Sequence, residues 1–196
     1  EKERPEIAVR EGEEYELSMY AAADAPAKLV VALEDESGER LAAQEVEIAN
    51  ADWKRIQVKL VPNRTCANAV LAILSPEKAE FLLDMVSLFP AKTWKNRPNG
   101  LRPDLMAMLE KLRPAFVRFP GGCFVEGKSE KLENAARWKD SVGPVETRPG
   151  QWCIWQYQST NGLGYHEFLQ MCEDLGAEPL FVINCGMGHT YDGPFH

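Results

Sequence analysis

Two short segments of the sequence combine residue types that suit ligand binding, and each follows a strand-like apolar run. The first contains Gly121, Gly122 and Cys123, and the second contains Asn184 and ends at Gly186. Two adjacent glycines let a backbone approach a ligand closely or adopt positive φ. In parallel α/β folds, ligands bind at the C-terminal ends of strands. The position of both segments therefore predicts a binding site where the two strands end.

The loop between these segments is rich in aromatic residues, namely Trp138, Trp152, Trp155 and Tyr157. Aromatic rings stack on the apolar faces of sugars, and neighbouring Asn, Glu and Arg groups can bond sugar hydroxyls. The alternative is structural: the two glycines mark only a tight turn, and the tryptophans pack the loop down. Residue types alone leave both interpretations open.

Other chemistries have weaker support in the sequence. Cys123 as a nucleophile would need a nearby base and a lowered pKa, and the three histidines give no such signature. His189 and His196 with Asp192 match no familiar metal-ligand spacing. The five cysteines are odd in number and form no C-x-x-C pair, which argues against a disulfide framework or a thiolate metal site. We therefore expect neither a cofactor nor a metal.

The elements that must position the site come after residue 92. Leu101, Leu105, Met108, Leu109 and Leu112 follow helical spacing, and Pro114 ends that helix. A short strand spans 115–119, a second helix runs from Tyr165 to Leu175 with Gly176 as its C-terminal cap, and 179–184 is an apolar strand. Two strands joined through a helix are normally parallel. So small a sheet has little core, and we expect further strands from the parent chain or a partner.

The pattern of the first 90 residues predicts β-strands. Apolar and polar residues alternate at 15–20, 29–33, 46–48 and 56–60, with turn residues between them. The runs 69–74 and 81–89 are more apolar, as if buried on both faces. Several short strands at regular spacing predict an antiparallel sandwich.

Composition narrows the range of partners. The formal net charge of the 196 residues is -8, whereas nucleic acids and anionic membranes require a clustered basic face. The sequence also has no apolar run long enough to span a membrane. These features exclude nucleic acid and membrane as expected partners and suit a neutral ligand such as a sugar.

Long motifs in the second half resemble glycoside hydrolase family 51, the α-L-arabinofuranosidases. The matching pieces are LRPDL at 101–105, RFPGGCFVEG at 118–127, RWKDSVGPVETRPG at 137–150 and STNGLGYHEFLQMCEDLGAEPLFVIN at 159–184. LLDMVSLFP at 82–90 resembles the end of the galactose-binding-like sandwich of longer family members. The resemblance covers about half the chain closely.

The resemblance implies a mixed β and α/β fold with two parts. Residues 1–92 would form an antiparallel jelly-roll sandwich, and 93–196 would form the beginning of a (β/α)8 catalytic barrel. Family members hydrolyse terminal α-L-arabinofuranosyl groups with retention, using two glutamates on later barrel strands. The abrupt ends at Glu1 and His196 suggest a piece of a longer protein. We therefore expect no catalytic residue in this chain, and we expect Glu126 and Glu146 to make only loop salt bridges or hydrogen bonds.

The resemblance also implies a set of substrate-binding residues. Cys123 stands where many relatives have an Asn that bonds a furanose hydroxyl, and a thiol is a weaker hydrogen-bonding group. Trp155 matches a tryptophan of the sugar subsite, and Trp138 matches another aromatic of the same loop. The expected set is Gly121, Gly122, Cys123, Trp138, Trp155 and Asn184.

The partner implied is an arabinose-containing oligosaccharide or polysaccharide, such as arabinan or arabinoxylan. The sandwich either binds carbohydrate itself, through Trp53 or Tyr20 with or without a cation, or only buttresses the barrel. A purely structural segment that oligomerises through its open sheet edge is a further alternative, and the resemblance leaves a homo-oligomer open. A periplasmic or extracellular location is slightly favoured over a cytoplasmic one.

Overall fold

The computed structural model describes residues 6–98, 100–127 and 134–189, together with the backbone of 191–194. The chain folds into two compact units, Glu1–Asp104 and Leu105–His196. Among the helices of the described residues, none has the length and apolarity required to cross a membrane.

The first unit is an antiparallel sandwich of a three-stranded and a four-stranded sheet. In the smaller sheet the order is β5-β2-β7, and in the larger it is β1-β6-β3-β4. The strands are β1 (Ile7–Val9), β2 (Tyr15–Ala22), β3 (Ala27–Glu34), β4 (Arg40–Ile48), β5 (Lys54–Leu60), β6 (Cys66–Leu74) and β7 (Leu82–Pro90).

The period-2 alternation of the sequence places one face of each central strand in the sandwich core. In β2, Leu17 and Met19 are fully buried while Glu16 is exposed, and Leu17 lies opposite both Val58 and Leu88. In β3, Leu29, Val31 and Leu33 are likewise fully buried. Side chains from both sheets meet in one apolar cluster. The predicted antiparallel sandwich is therefore confirmed.

Two details of the sandwich differ from the sequence expectation. Strand β1 was not anticipated, because three residues are too few for the alternation to be recognised. The expectation that 81–89 is buried on both faces is wrong, since Leu82 and Val86 are exposed while Leu83 and Leu88 pack on the core. The run thus reflects one buried face and several exposed apolar residues, which are common on protein surfaces.

The second unit contains the predicted strand-loop-helix-strand order. Strands β8 and β11 pair in parallel, with Phe116 opposite Glu178 and Phe119 opposite Phe181, which confirms the expected crossover. Its elements are α1 (Pro103–Leu112, which begins at the end of the first unit), β8 (Phe116–Phe119), α2 (Gly122–Glu126), β9 (Gln151–Trp152), β10 (Gln158–Ser159), α3 (Tyr165–Leu175), β11 (Glu178–Phe181), β12 (Met187–Gly188) and β13 (Tyr191–Pro194).

Helix α3 begins and ends as the sequence predicts. The Glu167 carboxylate accepts a hydrogen bond of 2.8 Å from the Gly164 N–H, which is half of a capping box at the N-terminus. Gly176 ends the helix with φ of 66°, the left-handed conformation that glycine adopts without a Cβ clash. Phe119 of β8 stacks on Phe168 of α3 at 4.7 Å between ring centroids. The helix is thereby fixed against the parallel strand pair.

Candidate functional site

The loops that follow β8 and β11 form the centre of the candidate site. After β8 the backbone passes Pro120, which follows a cis peptide bond, and turns at Gly121, whose φ is 112°. The short helix α2 then ends at Gly127, where φ is 71° and a Cβ would collide with the backbone of Asn134. Glycine is required at both turns because an L side chain would be strained there. Cys123 and Glu126 lie three residues apart on α2, so both side chains emerge on one face.

Asn184 connects the two loops. Its Nδ2 donates to the Val125 carbonyl oxygen at 2.8 Å and to the Met187 carbonyl oxygen at 3.1 Å, and its Oδ1 accepts from the Gly186 N–H at 2.5 Å. The His189 N–H also donates to the Gly127 carbonyl oxygen at 3.2 Å. The segment after β11 is therefore held against α2 by hydrogen bonds from side chain and backbone.

A buried ion pair holds the long loop against α3. The Arg148 side chain is only 3% exposed, and it makes a bidentate contact with the Glu167 carboxylate at 2.7 and 3.0 Å. Arg148 also donates to the carbonyl oxygens of Gly143 and Asn161. Partial burial raises the pKa of Glu167, but hydrogen bonds from Arg148 and the Gly164 N–H outweigh it and leave that pKa below its ordinary value.

Further hydrogen bonds complete the attachment of the loop. Ser141 Oγ donates to the Trp138 carbonyl oxygen and accepts from the Tyr165 N–H, each at 3.0 Å. The Tyr165 hydroxyl donates to the Val182 carbonyl oxygen at 2.7 Å, and burial raises the pKa of Tyr165 to about 12. Asn161 donates to the Pro149 carbonyl oxygen at 2.8 Å. The loop is thus bonded at several points to the helix that supports the strands.

These attachments shape a cleft of about 500 Å³ with a mixed aromatic and polar lining. That size and character suit a small polar ligand with apolar faces. Among the described residues that line the cleft, none carries a carboxyl group. The lining is Pro120, Phe124, Ala136, Arg137, Ser141, Trp155, Tyr157, Gln158, Ser159, Thr160, Asn161, Gly162, Leu163, Gly164, Tyr165 and Phe168.

Four of the six residues expected to bind substrate lie in this cleft or next to its lining residues in the sequence. Trp155 lines it directly and is 59% exposed. Gly121, Gly122 and Cys123 lie in the turn between the lining residues Pro120 and Phe124.

Two of the six have other surroundings. Asn184 has both its amide nitrogen and its oxygen engaged with backbone groups. Trp138 adjoins the lining residue Arg137 and is half exposed, with Lys139 Nζ at 5.6 Å from its ring centroid. Trp152, Trp155 and Tyr157 are also about half exposed within this chain.

A second group of side chains meets beside the cleft. His189 Nδ1 lies 2.7 Å from Glu126 Oε2, so Glu126 forms the loop contact that the sequence suggested. A ligand atom of Cys123 joins them, and all three atoms lie within 4.8 Å of one another. Sequence reasoning found no role for His189, because it is 63 residues from Glu126 and reaches it only through the pairing of β8 with β11.

Sequence reasoning also missed the Arg148–Glu167 pair. Both residues lie inside the motifs at 137–150 and 159–184. A glutamate at the third position of a predicted helix is a capping-box signal, and that signal alone identifies Glu167 as a residue with a local structural role. Its arginine partner is separated from it by 19 residues and shows no such pattern.

Comparison with known proteins covers both units. Residues 108–194 match a sequence family described as alpha-L-arabinofuranosidase 1 domain, and residues 3–79 match one described as carbohydrate binding domain. The two matches correspond to the α/β unit and the sandwich respectively.

Individual relatives align over almost the whole chain. It is 41% identical to alpha-L-arabinofuranosidase 1 of Arabidopsis thaliana over 93% of its own length and 27% of that protein. It is 38% identical to an extracellular exo-alpha-L-arabinofuranosidase of Streptomyces chartreusis, over 95% of its length and 24% of that protein. The chain therefore spans about a quarter of the length of these curated relatives.

A solved structure, that of the arabinose-bound MgGH51 α-L-arabinofuranosidase, agrees with these matches. It superposes with a TM-score of 0.87 at 31% identity, over 97% of this chain and 32% of that one. The predicted fold class, a sandwich followed by part of a (β/α)8 barrel, is thereby confirmed. Over almost its whole length the chain is therefore similar to α-L-arabinofuranosidases, including the glycoside hydrolase family 51 enzyme of that solved structure.

Proposed function

We propose that the protein containing this chain is a retaining, exo-acting α-L-arabinofuranosidase that removes terminal arabinofuranosyl groups from arabinan or arabinoxylan. The observation that carries the proposal is the aromatic and polar cleft beside the C-terminal end of β8, in a chain similar to α-L-arabinofuranosidases. A furanose ring offers apolar C–H faces to Trp155 and hydroxyls to the polar lining. Within the chain, Gly121, Gly122, Cys123, Trp138, Trp155 and Asn184 are the proposed substrate-binding set.

The positions of the carboxyl groups indicate which part of the protein binds the sugar and which part cleaves the bond. A retaining glycosidase needs two carboxyl groups about 5 Å apart on either side of the scissile bond. The described lining of the cleft contains none, and the nearby carboxylates of Glu126 and Glu167 are paired with His189 and Arg148. We therefore assign binding to this chain and bond cleavage to glutamates elsewhere in the protein.

Hydrolysis of an aryl α-L-arabinofuranoside tests both parts of the proposal. The full-length protein should release arabinose with the anomeric configuration retained, and the 196-residue chain alone should release none. A full-length protein that releases no arabinose would refute the activity. Turnover by the 196-residue chain would show that the bond-breaking groups lie within it.

A carbohydrate-binding role for the sandwich is the second candidate, and the family match over residues 3–79 favours it. Trp53, just before β5, is 51% exposed and offers a ring for stacking on a sugar. Calorimetry of the 196-residue chain with arabino-oligosaccharides should then show heat that disappears in Trp53→Ala. If Trp155→Ala abolishes the heat and Trp53→Ala does not, the binding belongs to the cleft.

Export from the cytoplasm is proposed as well, on the basis that the Streptomyces relative is named extracellular. Activity in the periplasm or culture fluid of the source cells would support it. Activity confined to the cytoplasmic fraction would contradict it.

A further inference from the structure

We propose that Cys123, Glu126 and His189 form a Zn²⁺-binding site beside the cleft. Each of the three side chains offers one ligand atom, and these atoms all lie within 4.8 Å of one another. They supply a thiol, a carboxylate and an imidazole, which are the three ligand types that zinc takes in proteins.

The distances suit a tetrahedral ion. Zinc bonds of about 2.0–2.3 Å place neighbouring ligand atoms about 3.3–3.8 Å apart. His189 Nδ1 and Glu126 Oε2 are 2.7 Å apart as a hydrogen-bonded pair, so they need to separate by less than about 1 Å to admit the ion. That adjustment is small for two side chains that are each more than one-third exposed.

The backbone around the three ligands is already in place. Cys123 and Glu126 are fixed to each other by α2, which is held between its two glycine turns. His189 is brought to them by its own N–H, which donates to the Gly127 carbonyl oxygen, and by Asn184, which bridges Val125 and Met187. A site whose ligands come preassembled loses less entropy on binding the ion than one that must be ordered by it.

The charges of the three ligands balance that of the bound ion. The ion binds the Cys123 thiolate, the Glu126 carboxylate and the neutral His189 ring, and the thiol proton passes to solvent. The two anionic ligands neutralise the double charge of the ion. Three protein ligands leave a fourth tetrahedral position to water.

Cys123 also belongs to the proposed substrate-binding set, but the test does not depend on the glycosidase function, because zinc binding is measured without substrate. The full-length protein is titrated with Zn²⁺ in competition with a chromogenic chelator, and Co²⁺ is used as a spectroscopic probe. We expect one Zn²⁺ bound per chain and a thiolate-to-Co²⁺ charge-transfer band. Cys123→Ser should abolish the band and weaken Zn²⁺ binding at least about 100-fold, the upper end of the loss caused by removing an outer-shell residue.

Matched controls separate this cluster from adventitious binding. Cys185→Ser removes an exposed free thiol in the neighbouring loop, and His166→Gln removes an exposed imidazole on α3, and neither should change the affinity. Glu126→Gln keeps the thiol and the side-chain shape, so it should weaken binding even if Cys123→Ser fails to fold. The proposal is overturned if no stoichiometric Zn²⁺ binds, if Cys123→Ser and Glu126→Gln both bind as tightly as the wild type, or if the Co²⁺ band depends on Cys185.

Discussion

In the sandwich, Leu17, Leu29 and Leu33 are fully buried, whereas in the α/β unit Leu112 and Leu180 leave 74% and 49% of their surface exposed. The sandwich closes its core between two sheets, while every residue of β11 is exposed. The unit with the more open core is also the one that carries the cleft, the Arg148–Glu167 pair and the Cys123 cluster. In this chain, apolar burial and ligand chemistry are thus concentrated in different units.

Truncating a buried leucine of the sandwich should cause the largest loss of folding stability. Leu29→Ala is expected to lower the free energy of unfolding of the 196-residue chain by about 4 kcal/mol, because it leaves a cavity among fully buried neighbours. Leu180→Ala makes the same chemical change at an exposed position and should cost less than about 1 kcal/mol. Denaturant unfolding measures both values, and equal losses would remove the contrast between the units.

Breaking the Arg148–Glu167 pair should have the next largest effect. Arg148→Ala is expected to lower the free energy of unfolding by about 3 kcal/mol, because it leaves the partly buried Glu167 carboxylate without its partner. Tryptophan fluorescence during denaturant unfolding reports on the loop that holds Trp152 and Trp155. The control is Arg137→Ala, whose exposed pair with Asp140 should contribute less than about 1 kcal/mol. A loss in Arg148→Ala no larger than in this control would contradict the role given to the pair.

A change of pH should have a smaller effect on the free energy of unfolding. Because folding lowers the pKa of Glu167 from its ordinary 4.5, the ionised carboxylate stabilises the folded state above that pH. This contribution should be lost as the pH falls below about 4.5 towards the lowered value.

A matched pair of variants isolates this contribution. Glu167→Gln should flatten this part of the stability profile, while Glu110→Gln on the exposed surface of α1 should leave it unchanged. If the free energy of unfolding of Glu167→Gln falls with pH as steeply as that of the wild type, other carboxyl groups cause the acid sensitivity.

The elements of both units were largely predictable from local patterns. The helical spacing that ends at Leu112 predicts α1, which begins at Pro103 and leaves Leu101 outside it. The cap at Gly176 predicts the end of α3. Both signals are contained in a few consecutive residues. The alternation around Leu17 and Leu29 likewise identified the core faces of β2 and β3. In β2 and β3 local periodicity is sufficient because each strand buries one side, whereas the apolar residues Leu105, Met108 and Leu112 of α1 stay exposed.

Long-range polar contacts were not predictable in the same way. Glu126 and His189 meet because β8 and β11 pair in parallel and Asn184 bridges the loops that follow them. No pattern within either segment encodes that contact. Family resemblance predicts the Gly121–Cys123 turn and Trp155 as site residues, but it did not indicate that Arg148 anchors the loop.

The most direct test of the sugar-binding cleft is the kinetics of Trp155→Ala beside Trp53→Ala in the full-length protein, with an aryl α-L-arabinofuranoside as substrate. Both tryptophans are about half exposed, one in the cleft and one on the sandwich. Loss of one aromatic contact worth about 1 kcal/mol predicts a fall of about fivefold in kcat/KM for Trp155→Ala. Trp53→Ala should match the wild type. Equal kcat/KM for Trp155→Ala and the wild type would contradict the assignment of the cleft to the sugar.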